Sequence, residues 1–262
     1  MATKPAECAV KIEAVPSPNF NDRKFPVDML VLHYTGMETG QAALDRMCDA
    51  KAEVSAHYMV WEDGRIAQLV GEDKRAWHAG VSSWQGDTDL NSRSIGIEIV
   101  NGGHDWPLSD GTLPPFPDAQ VEAVIALCQS LLSRWDIPVS RIVGHSDIAP
   151  ARKDDPGEHF PWHRLAAAGV GFVSEASTRD LNLIGRGLGA TDHGAPVERL
   201  QADLKAIGYG LDVNGHYDAL TSKTVTAFQR RWVQDRVSGN ADLLTLRRIG
   251  EVVATYSKGN SG

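Results

Sequence analysis

Short apolar runs bounded by Gly, Asp or Pro alternate with amphipathic segments along the first 145 residues of the chain. Their length and β-branched content indicate strands, and they cover residues 29–34, 55–61, 65–70, 94–100 and 141–145. Helical periodicity lies between them, over residues 41–49 and 118–135. Because Glu62-Asp63-Gly64 has the chemistry of a hairpin turn between the second and third strands, the sheet is expected to be mixed. The pattern predicts an α/β fold with a central mixed β-sheet flanked by helices.

A change of composition separates a second, smaller unit from the first. Residues 174–194 are rich in Ser, Thr, Gly and Asp, which is typical of an interdomain linker. Apolar residues then recur at helical spacing from residue 197, pause at a turn, and recur over residues 221–232. We therefore expect a first domain over residues 15–173 and a small all-α three-helix C-terminal domain over residues 195–255.

Charge and cysteine content narrow the class of protein. The net charge is −8 and the pI is near 5.6, so the chain lacks the surplus of Lys and Arg that nucleic-acid binding requires. Cys8, Cys48 and Cys128 are widely spaced, which predicts neither a disulfide framework nor a thiolate zinc site. No segment has the apolar character of a signal peptide or a membrane span. We expect a cytoplasmic protein with no nucleic-acid partner; a periplasmic or envelope location is the alternative if an export signal has been removed.

Residues 144–157 concentrate an imidazole, a lysine and several carboxylates in one loop. His145 follows a predicted strand, and Lys153, Asp154 and Asp155 come shortly after it. His33 ends another apolar strand, so both imidazoles are expected at strand ends. Two imidazoles and a loop carboxylate form the three-ligand set of a catalytic zinc site with one open position. The alternatives are a solvated charged turn and two ordinary core histidines.

Glu98 interrupts an otherwise apolar strand. A buried carboxylate is costly without a partner, so Glu98 is a candidate general base beside a metal site. The alternative is an outward orientation on an edge strand. Asn101, in the Gly-rich loop that follows, is suited to contacting a ligand.

The segment Trp77-His78-Ala79-Gly80 combines an indole and an imidazole in a Gly-rich and Ser-rich stretch. This composition suits a groove for a sugar or a peptide. Packing in an aromatic core is the alternative, and His78 is a further candidate for a metal ligand.

Five motifs in order resemble those of the type 2 zinc-dependent N-acetylmuramoyl-L-alanine amidases, over about residues 15 to 172. They are Leu32-His33-Tyr34-Thr35, Val54-Ser55-Ala56-His57-Tyr58, Trp77-His78-Ala79-Gly80, Ser94-Ile95-Gly96-Ile97-Glu98 and the loop 144–157. The resemblance implies one zinc ion per chain on His33, His145 and Asp155, since the family ligand is the aspartate directly before Pro-Gly. It also implies a catalytic Glu98, a transition-state lysine at Lys153, and substrate contacts from Trp77, His78, Ala79 and Asn101.

Residues 197–250 are similar to a peptidoglycan-binding domain, with Leu200-Gln201 and Phe228-Gln229 at the expected places. The resemblance of the first domain to the amidases implies hydrolysis of the bond between N-acetylmuramic acid and L-alanine in peptidoglycan fragments, with 1,6-anhydromuropeptides of cell-wall recycling as the expected substrates. The alternatives are an envelope-associated or lytic amidase acting on intact peptidoglycan, a non-catalytic muropeptide-binding protein, and a zinc hydrolase of another amide. Muropeptides are the expected partners, and no protein partner is predicted.

Overall fold

A six-stranded mixed sheet lies at the centre of the first domain in the computed structural model, which describes residues 11–172 and 185–259. The strands of these residues are β1 (Ile12–Ala14), β2 (Phe20–Asp22), β3 (Met29–Tyr34), β4 (Tyr58–Val60), β5 (Ile66–Gln68), β6 (Lys74–Ala76), β7 (Ser94–Ile99) and β8 (Ile142–Gly144). The order in the large sheet is β1-β5-β4-β7-β3-β8, and β2 pairs with β6 in a separate ribbon.

Helices cover both faces of the sheet and form the C-terminal unit. They are α1 (Gly40–Cys48), α2 (Leu90–Arg93), α3 (Asp118–Leu132), α4 (His145–Ile148), α5 (Trp162–Ala167), α6 (Ala195–Ile207), α7 (Ala219–Trp232) and α8 (Leu243–Gly259). Short 3-10 turns precede β8 and follow α7. The predicted fold class, a mixed sheet flanked by helices with a helical C-terminal region, is confirmed.

The sheet is mixed because β5 runs antiparallel to β4, while β4, β7, β3 and β8 are parallel neighbours. The hairpin turn predicted at residues 62–64 joins β4 to β5, with Gly64 N donating to Trp61 O at 3.0 Å. Several predicted elements are longer than the observed ones. The helix predicted over residues 118–135 ends at Leu132, and His145 begins α4 instead of ending a strand.

The two faces of the sheet bury different neighbours. Leu30, Leu32 and Ile97 pack with α3 and α5, whereas Met29 and Val31, on the opposite face of β3, share one apolar cluster with α6, α7 and α8. β3 is buried along its whole length, which explains its continuous apolar sequence. The C-terminal helices therefore complete the core of the first domain.

Part of the predicted linker belongs to the C-terminal unit. Leu188 and Ala241 exchange two backbone hydrogen bonds of 2.9 Å, so this stretch is paired with the segment before α8. Residues 174–184 of the predicted linker, the last residue of the predicted first domain (173), and Cys8 lie outside the described residues. Within 11–172 and 185–259, no helix combines the length and the apolar character that crossing a membrane requires.

Candidate metal centre and active-site cavity

Three candidate site residues lie side by side at the carboxyl ends of the neighbouring parallel strands β7, β3 and β8. His33 on β3 is in register with Glu98 on β7, and Leu32 is in register with Gly144 at the end of β8. His145 follows Gly144 directly, so it comes beside His33 on the other side from Glu98. Parallel strands present their carboxyl ends at one edge, which is where sites form in such sheets. The register alone brings these three residues together.

Asp155 reaches the same point from the loop after α4. Its backbone oxygen accepts a hydrogen bond of 2.8 Å from Ser146 N, which ties the returning loop to the start of α4. The return is close, because a Cβ on Gly144 would lie 2.7 Å from Pro156 Cδ. Asp155 Oδ2 then lies 2.9 Å from His33 Nδ1 and 3.0 Å from His145 Nδ1.

The hydrogen-bond network assigns the tautomers of the two imidazoles. Ser94 Oγ donates to Leu90 O at 2.7 Å, so it accepts from His78 Nε2 at 3.1 Å. His78 Nδ1 is then the acceptor for His33 Nε2, 3.0 Å away. On the other side, His145 Nε2 donates to Ala79 O at 3.2 Å. Both Nδ1 atoms therefore carry lone pairs toward the centre.

The donor set fits a metal cation. Two lone pairs at Nδ1, 3.0 Å apart, and one oxygen of Asp155 face one another, an arrangement that a cation stabilises. Burial and the neighbouring His145 lower the pKa of His33 to about 4, so this imidazole is neutral at pH 7. Burial opposes ionisation of Asp155, yet His145 and His33 beside it lower the pKa of the carboxyl below its usual range.

Glu98 lies beside the candidate metal centre, in register with His33. Its Oε2 is buried and has no hydrogen-bond partner among residues 11–172 and 185–259. Burial, and then the charge of Asp155, raise the pKa of Glu98 well above its usual value, while Lys153 acts in the opposite direction. A carboxyl group with a raised pKa can exchange a proton near neutral pH.

The residues face a cavity of about 310 Å³. Glu98, His145, Lys153 and Asp155 line it together with Trp77 and His78, two of the predicted substrate contacts. Trp77 is partly exposed there, and its Nε1 donates to Asn21 Oδ1 at 3.0 Å. His78 is 8% exposed, and its Nδ1 lies 3.0 Å from Nε2 of His33, one of the three candidate metal ligands.

Ala79 and Asn101, also predicted as substrate contacts, do not line the cavity. Ala79 is fully buried, and its carbonyl oxygen accepts from His145 and from Arg152. Asn101 is 5% exposed; its Nδ2 donates to Pro114 O at 2.9 Å and its Oδ1 accepts from Gly103 N at 2.8 Å. Both residues hold neighbouring parts of the site in place.

Other cavity residues were not predicted. α1 contributes Arg46 and Met47, and the loop before Lys153 contributes Arg152. Arg152 belongs to the charged loop 144–157, so its proximity to the site could have been predicted from the sequence. Arg46 carried no such signal, because its place at the rim depends on how α1 packs over the sheet.

A sequence model described as "N-acetylmuramoyl-L-alanine amidase" matches residues 23–158, half of the chain, and this range includes His33, Glu98, His145, Lys153 and Asp155. The chain belongs to this amidase family. A second model, described as "Putative peptidoglycan binding domain", matches residues 193–249.

Relatives of the amidase extend over both parts of the chain. This chain is 38% identical over 229 residues to the N-acetylmuramoyl-L-alanine amidase AmiD of Escherichia coli. The aligned region covers 84% of this chain and 79% of AmiD. The structure of AmiD with the substrate anhydro-N-acetylmuramic acid-L-Ala-D-gamma-Glu-L-Lys superposes with a TM-score of 0.75 at 35% identity, covering 88% of this chain and 90% of that one.

Two further relatives are similar in part or in whole. AmpDh3 of Pseudomonas aeruginosa in complex with anhydromuramic pentapeptide gives a TM-score of 0.74 at 33% identity, covering 88% of this chain and 92% of that chain. The 1,6-anhydro-N-acetylmuramyl-L-alanine amidase AmpD of Enterobacter cloacae is 45% identical over 118 residues, which are 45% of this chain and 58% of AmpD.

Proposed function

We propose that this protein hydrolyses the amide bond between N-acetylmuramic acid and L-alanine in peptidoglycan fragments, with 1,6-anhydromuropeptides as its substrates in cell-wall recycling. The observation that carries the proposal is the convergence of His33, His145 and Asp155 next to Glu98, whose buried Oε2 has no hydrogen-bond partner in the part of the chain that the structure describes. The anhydro preference is supported by the ligands in the AmiD and AmpDh3 complexes and by the activity in the name of AmpD.

His33, His145 and Asp155 would hold one zinc ion through two imidazole nitrogens and one carboxylate oxygen. When bound, zinc supplies Lewis acidity that polarises the scissile carbonyl and makes water a better nucleophile at neutral pH. The lone pairs at both Nδ1 atoms and the ionised Asp155 provide the donor set for it.

The remaining chemistry belongs to side chains of the cavity. Glu98, with its raised pKa, takes the proton of the attacking water and gives it to the L-alanine nitrogen, which leaves as an amine. The Lys153 ammonium stabilises the negative charge that develops on the carbonyl oxygen. Trp77, at the cavity wall, is the proposed substrate contact among the residues named from the sequence; His78, Ala79 and Asn101 act through their neighbours.

Replacing Glu98 tests the assignment of the proton carrier. We expect Glu98→Ala to bind zinc as the wild type does and to lose about 100-fold or more of kcat, since a group that transfers protons in the transition state contributes ~10² to 10⁴. Metal content and turnover of an anhydromuropeptide, measured on the same sample, check both halves. An exposed control, Glu38→Gln, is expected to keep full activity. Near-normal turnover of Glu98→Ala would refute the assignment.

A second candidate function is hydrolysis of larger fragments or intact peptidoglycan at the envelope. The match of residues 193–249 to a peptidoglycan binding domain favours it. Comparing the products from anhydromuropeptides, ordinary muropeptides and intact sacculi distinguishes the two candidate functions, because only the envelope activity releases stem peptides from sacculi. The cytoplasmic location stays a prediction, and fractionation of cells that express the full chain tests it.

A further inference from the structure

We propose that the C-terminal module, residues 185–259, holds the metal-binding loop in place, and that Tyr209 and Arg231 are positioning residues that act through Asp147 on His145. The inference rests on the proposed function, because it concerns the same metal centre. It assigns to the C-terminal module a role in the reaction besides any binding of peptidoglycan.

Asp147 is the junction between the two units. It lies two residues after His145 in α4, is 1% exposed, and its Oδ2 accepts from Gly144 N at 2.8 Å, which fixes the start of the helix. The other partners of this carboxylate come from the C-terminal module. Tyr209 donates its hydroxyl to Oδ1 at 2.7 Å, and Arg231 Nη1 lies 3.1 Å from Oδ2.

Arg231 is built into the interface. It is 3% exposed, and its guanidinium lies over the ring of Trp162 at 4.4 Å and over that of Trp232 at 4.7 Å. A buried carboxylate and a buried guanidinium each require a partner. If either Asp147 or Arg231 moved away, the other would be left as a buried charge without its counter-charge. The pair therefore locks α4 against α7.

The far end of the metal-binding loop is held by the same module. Arg230 Nη1 lies 2.6 Å from an oxygen of Asp154, next to the ligand Asp155, and Arg230 Nε lies 3.2 Å from Glu158. Gln234 Nε2 donates to the backbone oxygens of Glu158 and Phe160 at 2.7 and 2.8 Å. Contacts from α7 and the turn after it thus span the loop on both sides of Lys153 and Asp155.

The apolar contact between the two units is continuous. Trp84 of the first domain is 1% exposed and packs edge-on against Tyr209 with ring centroids 5.0 Å apart. A Cβ on Gly208 would lie 2.7 Å from this indole, and Gln85 N donates to Gly208 O at 2.8 Å. This close approach presents Tyr209 to Asp147 in one orientation.

Outer partners of metal ligands commonly change metal affinity by ~10 to 100-fold when removed. We therefore expect Tyr209→Phe and Arg231→Gln, made in the full chain, to weaken zinc binding at least tenfold in competition with a chelator. We expect kcat on a soluble anhydromuropeptide to fall with it while KM changes by less than about twofold, because neither Tyr209 nor Arg231 lines the cavity. Arg231→Lys keeps the charge and is expected to recover part of the zinc affinity.

Tyr217→Phe is the matched control. Tyr217 is also buried in the C-terminal module and donates its hydroxyl to Gly239 O at 2.7 Å, but that partner lies within the module. Its variant is expected to lose thermal stability and to keep wild-type zinc affinity. Tyr209→Phe removes one oxygen atom, which keeps the test available if Arg231→Gln does not fold.

Three results would overturn the inference. Wild-type zinc affinity and kcat in Tyr209→Phe and Arg231→Gln would show that the module does not position His145. An equal loss of zinc affinity in Tyr217→Phe would reduce the effect to general destabilisation. A wild-type chain that binds no zinc would overturn the proposed function and this inference with it, whereas the first two results leave the proposed function intact.

Discussion

The hydroxyl of Ser94 determines, through His78, which nitrogen of His33 carries the hydrogen and which carries the lone pair. Ser94 accepts the Nε2 hydrogen of His78, and His78 in turn accepts the Nε2 hydrogen of His33. A Cβ on Gly96 would lie 2.5 Å from the ring of His78, so a glycine on β7 provides the space for this imidazole. Ser94, where the relay begins, does not line the cavity, yet through His78 it sets the lone pair of His33 that a metal would need.

Removing the hydroxyl of Ser94 tests the relay. In Ser94→Ala the Nε2 hydrogen of His78 loses its acceptor, so His78 is free to adopt the other tautomer and the His33 hydrogen is free to move to Nδ1. We expect zinc affinity to fall about tenfold, at the lower end of the range for outer partners, as measured by chelator competition. Ser92→Ala removes a fully buried hydroxyl that contacts no histidine and should bind zinc normally. Unchanged affinity in Ser94→Ala would contradict the relay.

At the residue scale, the sequence predicted side chains that end or interrupt apolar strands. His33 and Glu98 were identifiable because a polar residue in a buried strand needs a reason. The choice of Asp155 over Asp154 required the family resemblance, since spacing alone allows either. The part that Ser94 and Leu90 play could not be predicted, because it depends on a chain of contacts between elements that are separate in sequence.

At the scale of elements, the loop between α4 and α5 joins the amidase domain to α7 through Glu158. His104 Nε2 and Arg230 Nε each lie 3.2 Å from Oε2 of this carboxyl. Burial would raise the pKa of Glu158, but the hydrogen bond from His104 and the charge of Arg230 lower it to about 2. The carboxylate is therefore stabilised in the folded protein.

This shift predicts an acid-sensitive contribution to stability. A carboxyl whose pKa is lower in the folded state than its ordinary value of 4.5 stabilises the protein above that value, and the contribution disappears as the pH falls toward about 2. We expect the Tm of the wild type to fall more steeply between these two pH values than the Tm of Glu158→Gln, which should already be lower at pH 7. Thermal unfolding across the pH range measures this; parallel curves for the two proteins would contradict it.

The elements themselves were predictable in proportion to their burial. β3 and β7, six residues each and almost wholly buried, were read from their apolar sequence. β1 and β2 were missed because each has three exposed residues, and three residues are too few to show alternation. Their pairing with β5 and β6 comes from tertiary contacts.

At the scale of the whole molecule, one apolar cluster runs from β3 through Trp84 to α6, α7 and α8. The sequence predicted two units and a linker, and it could not predict this shared core. Apolar residues at helical spacing show that a helix buries a face, but not which surface covers it. The interface partners Tyr209 and Arg231 lie 62 and 84 residues after Asp147 in the sequence.

A shared core predicts cooperative unfolding. We expect calorimetry of the full chain to show one transition for both units, and removal of zinc by a chelator to lower its Tm by about 5 to 10 °C, since a ligand at 100 times its Kd adds ~2.7 kcal/mol of stability. Gly208→Ala, whose Cβ would meet Trp84, should lower and broaden the transition. Gly250→Ala on α8, where a Cβ meets nothing within 4 Å, is the control. Two separate transitions, with only the first responding to the chelator, would contradict a common core.

The ion pair between Asp147 and Arg231 also restricts how such a protein can be recombined. An amidase domain of this kind that exchanged its C-terminal module for another would inherit a buried carboxylate without its counter-charge, and an indole, Trp84, without its cover. A functional exchange therefore requires compensating substitutions in both modules at this interface. Each of the two modules therefore depends on buried groups that the other supplies.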